Sequence, residues 1–196
     1  MPDLLAHYAV SYLVASRVLK PRYALLVALA GLLPDIDALF RVHRWVTHSL
    51  VLTALIASIA AVPLFYAGRS LLKHLALAAS LYTLHIVLNV FTAPTPILWP
   101  LTSSSYMITL GINGVIGGSS TGFNPYIEII IEPSSFSTQQ TLYGPIVSEL
   151  GIIVAIAITV TFVLLVEALA DVAILEKDFG VVSESYRDAF LGLSEK

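Results

Sequence analysis

Four places in this chain set ionisable or metal-ligating side chains among residues that are almost all apolar. They are His7, the turn Pro34-Asp35-Ile36-Asp37, the run His43-Arg44-Trp45-Val46-Thr47-His48, and the pair His85 and Asn89. Ionisable groups in apolar segments are costly, so each asks for a partner or a function. The spacings suit cation binding. His85 and Asn89 stand at i and i+4, so on a helix both leave one face and can grip one ion. Asp35 and Asp37 flank a single residue after a proline, where two carboxylates can turn into one cavity and would repel each other without a cation. The chain has no cysteine, which excludes disulfides, thiolate zinc sites and thiol catalysis. Two or three histidines with carboxylates favour zinc, with manganese or iron as the other candidates.

The elements that must position these residues are membrane helices. At 196 residues the length suits one ordinary domain, but apolar residues make up 57% and charged residues only 12%. Soluble chains carry about 25% charged residues. With a mean hydropathy of +0.87, much of the chain belongs in lipid. Ten Lys+Arg against thirteen Asp+Glu give a net charge of −3, which argues against a nucleic-acid binder. Five apolar stretches follow: Leu4–Leu19, Tyr23–Phe40, Leu50–Ala67, Leu75–Phe91 and Pro145–Ala170. The first two are short enough to pack instead as re-entrant or interfacial helices. The start, Met1-Pro2-Asp3-Leu4-Leu5, lacks the basic region of a secretory signal, so the first stretch is expected in the mature protein.

Five crossings put the termini on opposite sides, and basic residues choose the orientation. Arg17, Lys20, Arg22, Arg69, Lys73, Lys177, Arg187 and Lys196 fall on one side, and Arg41 and Arg44 on the other. The expected arrangement has an external N-terminus and a cytoplasmic C-terminus. Residues Ala93–Gly144 are rich in Ser, Thr, Gly and Pro and read as an external cap. Within it, Tyr106–Ile112 and Tyr126–Ile131 concentrate β-formers and are expected to pair as a small sheet. The tail Leu175–Lys196 reads as an amphipathic helix at the cytoplasmic surface. The expected fold is thus an all-α integral membrane bundle of about five helices. Its parts are a helical membrane domain (1–100), an external cap (101–145), a last transmembrane helix (146–174) and the tail (175–196).

Depth ties the four polar places together. His7 lies about one turn below the external end of its helix, and Asp35, 13 residues beyond Arg22, lies roughly 20 Å above the cytoplasmic end. His48 opens the third stretch from outside, and His85 lies roughly 9 Å below the external end of the fourth. Four segments therefore bring His or Asp to one external level. Taken singly, each has a plainer reading: Asp35 as a helix cap, Asp37 paired with Arg41 or Arg44, Arg44 anchored at headgroups beside Trp45, a lone histidine as a packing residue. His74, at the cytoplasmic end beside Lys73, fits the packing reading.

The order His7, Pro34-Asp35-Ile36-Asp37, His43-Arg44-Trp45-Val46-Thr47-His48-Ser49, His85 with Asn89 and Thr92, then Trp99-Pro100 resembles the YdjM-like family of membrane-bound metal-dependent hydrolases, over roughly residues 1–100. The resemblance implies a helical membrane protein with a His/Asp metal centre near one face, and a hydrolase. A fainter similarity reaches zinc-dependent phospholipase C and related zinc-dependent nucleases, which implies phosphoester hydrolysis by metal-activated water. The family's Asp at the second position of the HxxxD pair is Asn89 here, and its glycine after the threonine is absent from Thr92-Ala93-Pro94-Thr95-Pro96.

The expected function is a membrane-bound hydrolase of a phospholipid or another lipid-linked phosphoester. His7, Asp35, Asp37, His48, His85 and Asn89 would surround one or two divalent ions. His43 would shuttle a proton or orient a ligand, and Arg44 would hold an anionic phosphate. The rival is a catalytically inactive membrane protein that keeps the fold for structure or partner binding, which Asn89 favours. An ion or proton carrier ranks behind both, because the cytoplasmic halves of the stretches are Ala- and Leu-rich.

Overall fold

The computed structural model describes residues 3–42, 44–117, 120–140 and 146–179, with only the backbone course for 120 and 166–179. Contacts divide the chain into two units, Met1–Ala155 and Ile156–Lys196.

In the first unit, helix α1 (Leu4–Ser16) is capped by Asp3, whose Oδ1 accepts from the Ala6 N–H at 2.7 Å. Asp3 Oδ2 accepts from the backbone N–H of Ser148, and Leu5 N–H donates to Ile146 O, which ties the start of α1 to the entry of the last helix. A short helix α2 (Pro21–Val27) runs directly into a 3-10 helix, Ala28–Phe40. After a loop and a 3-10 turn (Val46–His48) come α3 (Leu50–Ala67) and α4 (Arg69–Val90). Gly68 alone joins these two at φ 153°, a conformation that residues with a Cβ rarely adopt. The last helix, α5 (Glu149–Phe179), enters in the first unit and makes up the described part of the second.

Among the described residues, Pro21–Phe40, Leu50–Ala67 and Arg69–Val90 are long and apolar enough to cross a membrane, while the apolar helix Leu4–Ser16 is shorter. The apolar bounds read from the sequence therefore hold closely at Leu50–Ala67, and α4 begins six residues ahead of the expected Leu75. The helix expected to end at 174 continues to Phe179, and the rest of the expected tail lies outside the described residues. No residue of α3 is buried by protein, and Ile56, Ile59 and Phe65 are exposed. In water such a helix would be untenable; in lipid it is at home.

The inward faces carry small and polar residues instead. His7, Ser11 and Ala15 form a stripe at four-residue spacing on α1. The second segment does this differently. At three residues per turn, positions three apart stack in one line, and the buried residues of its 3-10 helix are Ala28, Gly31, Pro34 and Asp37. On an α-helix, Ala28 and Asp37 would lie about half a turn apart. The 3-10 winding is what brings Asp37 inward on the same line as the small residues.

The cap is a single long hairpin. Strands β1 (Ser104–Gly117) and β2 (Ser120–Pro133) pair antiparallel along their whole length, from Ser104–Pro133 to Gly117–Ser120. This is about twice the length expected from the two β-rich runs, because the ladder continues without a break through Asn113, Gly114, Gly122 and Asn124.

Gly31 lies where α1 meets the 3-10 helix. A Cβ there would overlap the buried Ser11 side chain. Gly31→Val is therefore expected to lower stability by roughly 1–3 kcal/mol, read as a drop in thermal midpoint in detergent. Adding Ser11→Gly should recover part of it; no recovery would mean the helices do not meet at this point.

Candidate metal centre

His48 organises the site. It closes the 3-10 turn in front of α3 and is fully buried. Its Nδ1 lies 3.1 Å from Asp37 Oδ2, and its Nε2 lies 3.4 Å from Asp35 Oδ1. The ring thus stands between the two carboxylates of the Pro34-Asp35-Ile36-Asp37 turn. Asp37 Oδ2 also accepts from the Trp45 N–H at 2.7 Å and the Thr47 hydroxyl at 2.9 Å. The Tyr82 hydroxyl of α4 donates to the Thr47 carbonyl at 2.6 Å, which braces this loop against α4.

From α4, one turn beyond Tyr82, His85 brings Nε2 to 3.3 Å from Asp35 Oδ1. Asn89, a turn further on, places its amide nitrogen 3.0 Å from the same Nε2. His7 completes the cluster from α1, its ring stacked on His85 with centroids 3.8 Å apart. It is 1% exposed, and neither ring nitrogen makes a hydrogen bond. All four segments expected at one level do meet here.

Asp35, His48 and His85 could hold a metal ion: each offers one ligand atom, and the three atoms lie within 4.8 Å of one another. The chemistry of the donors fits. If His48 donates its Nδ1 proton to Asp37, its Nε2 presents a lone pair, as in carboxylate–histidine–metal arrangements. The Asn89 amide nitrogen lies against His85 Nε2, so that nitrogen is open to an ion only when the amide turns away or presents its oxygen to that ion. The His48 lone pair and the Asp35 oxygen then face one another, which is repulsive unless a proton or a cation lies between them. Burial disfavours charge on His48, but its hydrogen bonds to Asp35 and Asp37 outweigh burial and raise its pKa.

Arg44 sits at the rim. Its backbone is left-handed at φ 57°, a strained state for a non-glycine residue. Its guanidinium reaches the Thr92 hydroxyl at 3.5 Å, while its Nε is buried without a hydrogen-bond partner. Burial lowers its pKa, and the charges of Asp35 and Asp37 oppose that shift. It also lines a cavity of about 250 Å³ with Ser105, Glu132 and Gln139 at the base of the hairpin. His43 lies outside the described residues. His74 is remote from the cluster in sequence and exposed, its Nδ1 2.8 Å from the Ser70 carbonyl.

Two contributors escape a reading based on charge. Thr47 and Tyr82 belong to the hydrogen-bond chain behind Asp37, and the only signal for Tyr82 is its place one turn before His85. Other residues of the motif order are structural. Ser49 caps α3 by accepting from the Leu52 N–H and donates to the Trp99 carbonyl; Thr92 donates to the Asn89 carbonyl.

Residues 4–168 match the family described as YdjM inner membrane protein, and the chain belongs to that family. Membership and the apolar helices together place it in a membrane. No curated protein and no solved structure matches it.

Elemental analysis of detergent-purified protein is expected to find near-stoichiometric divalent metal, lost in a His48→Ala/His85→Ala double variant. Asp37→Asn should keep the ion but bind it about 10–100-fold more weakly, the usual effect of losing a group that orients a ligand. Equal metal in wild type and double variant, or none after reloading, would sink the site.

Proposed function

We propose that this member of the YdjM inner membrane protein family is a membrane-bound, metal-dependent hydrolase of phosphoesters, with a phospholipid or lipid-linked phosphate as substrate. The observation that carries the reading is the convergence of one carboxylate and two imidazoles within 4.8 Å. Two histidines and one carboxylate fill three positions around zinc and leave room for a water or substrate, the pattern of catalytic sites. Zinc is therefore the ion proposed, with manganese and iron next. When bound, such an ion supplies a water acidic enough to ionise near neutral pH and polarises a phosphoryl oxygen.

The chain's own residues have separate tasks in this reading. Asp35, His48 and His85 hold the ion; His7 and Asn89 stand beside it, outside the three positions that leave room for water. Asp37, whose Oδ2 is taken up by Trp45, Thr47 and His48, orients His48 from behind rather than from the ion's own shell. Arg44 holds the anionic phosphate as a charge-assisted donor. His43 carries the proton to or from the leaving group.

A lipid substrate is supported by an apolar groove of about 340 Å³ beside the site. It runs along α3, α4 and the 3-10 helix, lined largely by Ala, Leu and Ile, with Thr47 and Tyr82 among its walls. Those two residues also belong to the hydrogen-bond chain behind Asp37, so an acyl chain in the groove would bring its headgroup towards the cluster. We infer an external N-terminus and a cytoplasmic C-terminus, because counting along the sequence puts Arg41 and Arg44 on one side of the expected crossings and eight basic residues on the other.

Asn89 supports a second reading, a non-catalytic protein that keeps the fold for structure or partner binding. Its amide occupies His85 Nε2, the atom an ion needs, and it brings no charge. The two readings separate in one experiment. Zinc-loaded protein in vesicles should release phosphate or a phosphorylated headgroup from phospholipids or polyprenyl phosphates, with His48→Ala and Asp37→Ala strongly impaired. Stoichiometric zinc with no turnover, in wild type and in Asn89→Asp alike, would establish the second reading and overturn the first.

A further inference from the structure

In an antiparallel ladder, residues directly opposite each other share a face, so the register sorts the hairpin's side chains. The pairs Ile108–Ile129, Leu110–Ile127 and Ile112–Pro125 lie on one face. The pairs Ser105–Glu132, Thr109–Glu128 and Asn113–Asn124 lie on the other, which also carries Met107–Ile130 and Val115 and is the more polar of the two. Towards the tip, Ile116 and Phe123 fall on the apolar side and are 90% and 85% exposed. Nothing among the described residues covers the outer part of this face, with Ile127 72% exposed and Ile129 63%. Across the polar face the Tyr126 ring lies over Gly111, where a Cβ would collide with it.

We infer that this hairpin lies flat on the membrane, its apolar face at the boundary between lipid headgroups and acyl chains. Three observations favour lipid as the occupant. First, an isolated two-stranded hairpin is at best marginal in water. This one is 14 residues per strand, roughly 45 Å at about 3.3 Å per residue, so it needs another phase to cover it.

Second, the base is pinned to the apolar helices. Thr95 and Tyr106 exchange two backbone hydrogen bonds of 2.9 Å, and Thr95 stands five residues beyond Val90, the end of α4. Tyr106 is on the apolar face, so that face begins where the lipid-facing helix ends.

Third, β1 and β2 carry no Lys or Arg, and both Glu128 and Glu132 are on the polar face. The contact is therefore apolar and not a basic patch drawn to anionic lipid. Crossing the bilayer is excluded by the two open edges, whose N–H and C=O groups would have no partner in hydrocarbon. At the interface, water satisfies them.

Because the chain has no cysteine, single cysteines report one position each. Leu110→Cys, Ile127→Cys, Thr109→Cys and Asn124→Cys would be labelled with a fluorophore in the full-length protein and reconstituted in phosphatidylcholine/phosphatidylglycerol vesicles. Lipids bearing a shallow nitroxide should quench Leu110→Cys and Ile127→Cys several-fold more than Thr109→Cys and Asn124→Cys, and iodide should show the reverse. The contrast should survive high salt and removal of phosphatidylglycerol. A Leu110→Cys protein that also carries Ile129→Asp, a change at an exposed position, should lose it.

Equal iodide quenching on both faces would overturn the proposal. So would protection of the apolar face that vanishes as protein is diluted into lipid, which would assign the face to a second copy of the chain.

Discussion

The structure hangs on His48 standing between two carboxylates at the end of an apolar bundle. Asp37 and His48 are buried, and Asp35 is 16% exposed at its side chain. Carboxylates so far from water need a proton, a cation or several hydrogen-bond donors. Asp37 receives the Trp45 N–H, the Thr47 hydroxyl and His48, so residues 45–48 are folded around it. Tyr82 then fixes Thr47 from α4. The loop between the second and third segments is determined by what one carboxylate requires.

The same demand explains the winding of the second segment. A 13-residue 3-10 helix is unusual, since its hydrogen bonds are poorer than those of an α-helix. Here it sets Asp37 beneath Ala28, Gly31 and Pro34 on one buried line. Gly31 lets α1 approach to Ser11, and that approach carries His7 into stacking contact with His85. Substituting small residues along this line would separate the helices that supply the imidazoles. The weaker backbone geometry is offset by the polar contacts it creates at its end.

Much of this was legible in the residues. Charge-free Leu50–Ala67 read as one long apolar helix and is one, and counting residues along each segment suggested that His7, Asp35, His48 and His85 could meet, as they do. The 3-10 winding was not legible, because apolar segments that will lie in lipid show no strong periodicity to distinguish three residues per turn from 3.6. The hairpin was half visible for a related reason. Its β-rich runs announce themselves, while Asn113 and Asn124 look like loop until pairing sets them opposite each other. Tyr82 and Thr47 were hidden because their roles run through a backbone carbonyl and a hydroxyl, which no charge pattern reveals.

What lies beyond the cluster argues for a site and against a conduit. A pathway for ions or protons needs polar groups continuing through the membrane. Below the cluster, Ala15, Ala24 and Leu81 form the buried apolar core, with Tyr12, Leu19, Val27 and Leu77 packed against it. Between that core and the carboxylates stand Ser11 and Gly31, in contact with each other. The polar cluster is therefore closed on its inner side by close-packed side chains. Its approaches are the apolar groove that reaches Thr47 and Tyr82 and the polar cavity at Arg44. One opening is apolar and the other carries both Arg44 and Glu132, so neither offers the continuous run of polar groups that a bare ion in transit would need.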